Sequence, residues 1–84
     1  MNRHELEEEV VRLVVEASEH PIGRDTIASL AGDLAAVGYT SLSYLRLLSA
    51  IESELDVYIS PADLAREPLT IARLVGRVAH EKAL

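Results

Sequence analysis

The chain has 84 residues, of which fourteen are acidic and eight basic, for a formal charge of −6, and it contains no cysteine. That length leaves room for one small domain and argues against an enzyme with its own deep pocket. The acidity repels nucleic-acid phosphates and anionic lipid headgroups, and the lack of cysteine excludes disulfides, thiolate metal ligands and a thiol nucleophile.

Aromatic residues are confined to Tyr39, Tyr44 and Tyr58, so a core must be built from Leu, Ile, Val and Ala, the usual filling of a small helical bundle. The amino-terminal region carries the run Glu7, Glu8, Glu9 and no apolar stretch of signal-peptide length, and no segment approaches membrane-spanning length. The expectation is a cytoplasmic protein that engages neither nucleic acid nor membrane.

In chain order, residues 2 to about 19 place Leu6, Val10, Leu13, Val14 and Ala17 on one helical stripe, with Glu5, Glu8, Glu9, Arg12 and Glu16 mostly opposite. Asn2 followed by Glu5 suggests a capping box. His20, Pro21 and Gly23 break that helix and open a long connection reaching Tyr39, with a short helical turn expected around residues 25–30. Long connections in compact domains are usually functional or mobile.

A second helix is expected from Ser41 to about Leu55. Its Leu42, Tyr44, Leu45, Leu47, Leu48, Ala50, Ile51 and Leu55 exceed what one core stripe requires, so part of its apolar surface should face a partner. Ser60-Pro61-Ala62-Asp63 reads as a cap, a first-turn proline and an acidic third position, starting a short third helix that Pro68 ends. Thr70 caps the last helix, with Ile71, Leu74, Val75 and Val78 as its stripe and His80 and Lys82 near its negative end. No period-two pattern competes, so the fold class is all-α.

At the junction of the long connection and the second helix the sequence runs Asp33-Leu34-Ala35-Ala36-Val37-Gly38-Tyr39-Thr40-Ser41-Leu42. This resembles the acyl and peptidyl carrier protein family, in which a loop ends in Gly, any residue, Asp or a polar substitute, the modified Ser and a Leu. Gly38, Tyr39, Thr40, Ser41 and Leu42 fall on those positions in order. Asp33 and Leu34 also match, as do Ile51-Glu52-Ser53-Glu54-Leu55-Asp56-Val57 and the Ser60-Pro61 helix start, so the likeness covers nearly the whole chain. It implies a four-helix bundle with a long loop between helices one and two and a short third helix, forming a single carrier domain over residues 1–84.

The resemblance further implies that Ser41 is the covalent attachment point of 4'-phosphopantetheine, transferred from coenzyme A by a phosphopantetheinyl transferase that itself requires Mg²⁺. A helix start, with its unpaired N–H groups and positive dipole end, suits the resulting phosphodiester. The arm would carry an acyl or aminoacyl thioester among loading, condensing and tailoring enzymes, with a freely diffusing monomer as the simplest state. Tyr39, Thr40, Leu42, Tyr44, Leu45 and Arg46 are the candidate partner contacts, with Glu52 and Glu54 further along the helix; Leu42 and Leu45 are equally compatible with the core. Housekeeping fatty-acid carriers usually line this helix with carboxylates, whereas Ser43, Arg46 and Ser49 occupy much of it here. That difference favours polyketide or nonribosomal peptide type biosynthesis.

One departure is Thr40, where the family most often has Asp: Thr still caps a helix but lacks the carboxylate that the resemblance would pair with a basic residue of the modifying enzyme. Besides a loaded carrier, the sequence admits an unloaded carrier-like binding module, with Thr40 as its sign of decay, and, for contrast, a hydrolase using Ser41. No His and acid partners are arranged for a triad, so a catalytic role is not expected. His4, His20 and His80 have no spacing that would put two ligands on one helix face, so no metal site is expected either.

Overall fold

The computed structural model describes residues 1–29, 32–64 and 69–84, without the side chain of Leu64. Its elements in chain order are α1 (Arg3–Ala17), α2 (Arg24–Ser29), α3 (Ser41–Leu55), α4 (Pro61–Leu64) and α5 (Ile71–Glu81). The four helices read from the sequence are α1, α3, α4 and α5, and α2 is the short turn expected inside the first connection. Leu30 and the stop at Pro68 lie outside the described residues.

The caps follow the local sequence. Glu5 N–H donates to Asn2 Oδ1 at 2.8 Å and Asn2 N–H to Glu5 Oε1 at 3.3 Å, closing the capping box of α1. Thr70 accepts from Arg73 N–H at 3.2 Å, and Ser60 from Asp63 N–H at 3.3 Å. Asp56 closes α3 in the left-handed region, at φ 56°. Lys82 Nζ reaches back from the end of α5 to the Leu55 carbonyl at 2.8 Å, so a cation satisfies the negative end of α3.

Helix α1 packs against both α3 and α5. Its Leu6, Val10, Leu13, Val14 and Ala17 meet Leu47, Ile51 and Leu55 of α3 and Ile71, Leu74, Val75, Val78 and Ala79 of α5 in one aliphatic core. Removing that area from water is the main favourable term of the fold. On the rim, Arg12 gathers Glu9 and Glu16 of its own helix, each at 2.7 Å, and Glu54 of α3 at 2.9 Å. This pins the flank of α1 to that of α3, although exposed pairs add little stability.

The connection between α1 and α3 is anchored in three places. Ile27 of α2 is buried, as are Leu34 and Val37. Leu34 N–H donates to the Leu69 carbonyl at 3.1 Å and Ile71 N–H to the Gly32 carbonyl at 2.9 Å, forming an isolated antiparallel bridge between Asp33 and Thr70. At Gly32 the backbone has φ +70° and a Cβ would lie 3.1 Å from Ile71 Cβ and 3.3 Å from Ile71 N. Both conformation and space therefore demand glycine there.

Two outcomes are expected. Gly32→Ala combines a left-handed penalty with crowding at the bridge and should cost roughly 2–3 kcal/mol, lowering the thermal midpoint seen by circular dichroism by about 10 °C; an unchanged midpoint would contradict this reading. The second concerns acid. The hydrogen bond from Arg12 holds the Glu9 carboxyl below its ordinary value. A depressed carboxylate contributes stability that is present above the unfolded-state value and lost as pH falls through the folded-state value. Arg12→Met should therefore give a shallower loss of stability below the ordinary carboxylate range, measured by urea unfolding across a pH series.

Candidate functional site

Residues 33–39 form a compact turn leading into α3. Asp33 Oδ1 accepts from Ala35 N–H at 3.0 Å and Ala36 N–H at 3.4 Å, as expected of an Asx-type turn. Tyr39 N–H returns to the Leu34 carbonyl at 3.1 Å, and Gly38 N–H to the Ala35 carbonyl at 3.1 Å. Gly38 adopts φ +83°, where a Cβ would meet only the His20 ring at 3.4 Å, so here the backbone angle rather than the space calls for glycine.

Tyr39 turns inward. Its hydroxyl donates to the Val14 carbonyl at 2.5 Å, and its ring stands edge-on to Tyr44 with centroids 5.1 Å apart and planes at 70°. Burial, with Tyr44 beside it, pushes the Tyr39 phenol above its ordinary value. The pair fastens the turn to α1 on one side and to the first turn of α3 on the other.

Thr40 caps α3: its Oγ1 accepts from Ser43 N–H at 3.2 Å, with the Ser43 hydroxyl 3.1 Å away. The same hydroxyl donates its proton to the Glu19 carboxylate. A hydroxyl has one proton to give and two lone pairs, so the Ser43 hydroxyl is the donor toward Thr40. Ser43 is 1% exposed. The chain of bonds therefore runs outward, from a buried Ser43 through Thr40 to an exposed Glu19.

Ser41 is exposed at the first position of α3, and its hydroxyl has no hydrogen-bond partner among the described residues. The N–H groups of Ser41 and Leu42 have no partner within the helix, as at every helix start. Leu42 and Leu45 are 46% and 56% exposed, so neither is core, and Arg46 is exposed beside them. Tyr39 and Tyr44 are half-buried and packed against the core. Ser43 does not share the outer face with Arg46 and Ser49, contrary to the compositional reading; it falls on the buried series with Leu47, Ile51 and Leu55. Of the acidic residues further along α3, Glu54 is engaged by Arg12 and Glu52 is exposed.

Two features were not legible beforehand. Glu19 belongs to no periodic pattern, and only its contact with Thr40 gives it a place. Ser43 could have been found from its spacing of four to Leu47 and eight to Ile51. Tyr58, in the connection after α3, is also largely exposed. His4, His20 and His80 are exposed. Among the described residues no three His, Cys, Asp or Glu side chains are grouped to hold a metal ion. A groove of about 540 Å³ lies between α1, α2 and α5, and no residue of α3 lines it.

The family model described as phosphopantetheine attachment site matches residues 8–78, most of the chain. The chain belongs to this family. Searches of curated proteins and of solved structures gave no match. As a phosphopantetheine carrier the protein holds a covalent 4'-phosphopantetheine group and is not an enzyme. It works with a phosphopantetheinyl transferase and with enzymes that act on the attached group. Among the described residues no helix is long and apolar enough to cross a membrane. The helical architecture agrees with the carrier fold anticipated from the sequence.

For this carrier, Thr40→Ala removes the cap acceptor and leaves the Ser43 hydroxyl without its partner. The expected cost is about 1–2 kcal/mol, with faster hydrogen exchange at the Ser43 amide. Unchanged exchange there would show that Thr40 does not hold the helix start.

Proposed function

We propose that Ser41 carries the phosphopantetheine arm, and that residues 1–84 act as one carrier domain holding acyl or aminoacyl groups in polyketide or nonribosomal peptide type biosynthesis. The observation that supports Ser41 is a contrast among hydroxyls. Ser18, Ser29, Ser60, Thr40 and Thr70 are engaged in hydrogen bonds, and Ser43 is buried. Ser49 and Ser53 lie within α3 away from its start. Ser41 alone among these residues joins exposure, a hydroxyl without a partner and a position at the start of a long helix.

That position fits the group. The free N–H groups and the dipole at the start of α3 favour a phosphodiester on Ser41. In the attachment step the Ser41 oxygen forms a bond to the pantetheine-bearing phosphorus of coenzyme A. The anhydride P–O bond breaks with its electron pair leaving on adenosine 3',5'-bisphosphate, and the hydroxyl proton passes to a base of the transferase. The arm supplies the thiol that a cysteine-free chain lacks, and bond-making on the thioester is left to partner enzymes.

Leu42, Leu45 and Arg46 form the exposed surface next to Ser41 that would meet those enzymes, while Tyr39, Thr40 and Tyr44 fix its edge. An apolar centre with a cationic neighbour suits brief docking. Arg46 and Ser49 occupy the outer face of α3 in place of carboxylates, which supports a specialised pathway over housekeeping fatty-acid synthesis.

The test is the intact mass of the protein before and after incubation with coenzyme A and a broad-specificity phosphopantetheinyl transferase. Wild type should gain one phosphopantetheine and Ser41→Ala none. A chain that gains nothing with several transferases, or a Ser41→Ala variant that still gains the arm, would overturn the assignment of Ser41.

A further inference from the structure

Thr40 carries no charge at the position before the attachment serine, yet a charge stands there. Glu19, from the segment after α1, places its carboxylate on the Thr40 hydroxyl. The Thr40 proton goes to Glu19 because an ionised carboxylate can only accept, which leaves the Thr40 lone pairs to the Ser43 amide and the Ser43 hydroxyl. The carboxylate is thus oriented at the mouth of α3, one residue from Ser41.

It is also uncompensated. Glu8, Glu9, Glu16, Glu54, Asp63 and Glu81 each face an arginine, whereas Glu19 pairs with no cation among the described residues; Glu7, Asp25, Glu52 and Asp56 share that lack, and what sets Glu19 apart is its contact with the residue before Ser41. An exposed carboxylate held in place without a counter-charge is available to a cationic group from outside.

We infer that Glu19, positioned by Thr40, is the recognition carboxylate through which this carrier engages the cationic face of its phosphopantetheinyl transferase. Coenzyme A brings a pyrophosphate and a further phosphate, so the surface that presents it to Ser41 must be rich in cationic groups. A carboxylate beside the accepting hydroxyl complements that surface and guides the encounter. Glu19 touches neither the reacting phosphorus nor the Ser41 oxygen, so its role is positioning and recognition. The inference rests on the reading of Ser41 as the attachment residue.

The consequence is a split in the kinetics of loading. Losing one exposed, salt-screened pair should raise the KM for the carrier by about fivefold at low ionic strength and leave kcat unchanged. The experiment follows loading of the full chain by intact mass, with coenzyme A and a broad-specificity transferase, at low and high salt. It compares wild type, Ser41→Ala, Glu19→Gln and the double variant Glu19→Gln/Thr40→Asp. Glu19→Gln should load with the raised KM, the difference should fade at high salt, and Thr40→Asp should restore the low KM by placing a carboxylate on the cap residue itself, where Asp also serves as a cap.

If wild type loads and Glu19→Gln has the same KM, the inference fails and the Ser41 reading stands. A KM that stays raised at high salt, or that Thr40→Asp does not restore, also overturns it, since a purely structural loss would behave that way. If wild type takes up no phosphopantetheine, both readings fall together.

Discussion

The β-bridge between Asp33 and Thr70 is the constraint on which the geometry of the site depends. A connection as long as the one from α1 to α3 has many conformations, and its ordering opposes folding at every residue. The bridge, with Leu34 and Val37 buried just after it, ties the later part of the connection to the start of α5. The end of the connection then has few ways to reach α3, and Gly38 and Tyr39 select one. Ser41 can be exposed and still have a defined direction because the turn before it is held from behind.

The polar part of the site follows from the start of α3. A helix begins with N–H groups that lack partners, and Thr40 satisfies one of them. With Ser43 supplying the second donor, the Thr40 proton is directed outward to Glu19. A residue that reads as a departure from the family pattern thereby becomes the link between the helix and a carboxylate from another segment. The cap and the charge, which an aspartate would combine in one side chain, are divided here between two.

Much of the fold was legible in the sequence because burial repeats with the helical period. Leu6, Val10, Leu13, Val14 and Ala17 formed a stripe in the sequence and form a buried face in the structure. The caps at Asn2, Ser60 and Thr70 were legible because a cap is a local event, decided within four residues. Exposure of Leu42 and Leu45 was not, since α3 is apolar on more than one face and only packing against α1 decides which face is covered. Ser43 misled for the converse reason: a serine was read as surface although its spacing placed it in the core series. Glu19 could not be found at all, because its significance lies in a contact across the connection and no periodicity marks it.

The tyrosine pair has a practical consequence. The chain has no tryptophan or phenylalanine, so its near-ultraviolet signal comes from three tyrosines, and two of them, Tyr39 and Tyr44, stand against each other beside the start of α3. Tyr58 is open to solvent and contributes a largely averaged background. The protein therefore carries an intrinsic optical probe located where its connection meets α3, and dichroism in the tyrosine band reports the seating of that joint without any added label.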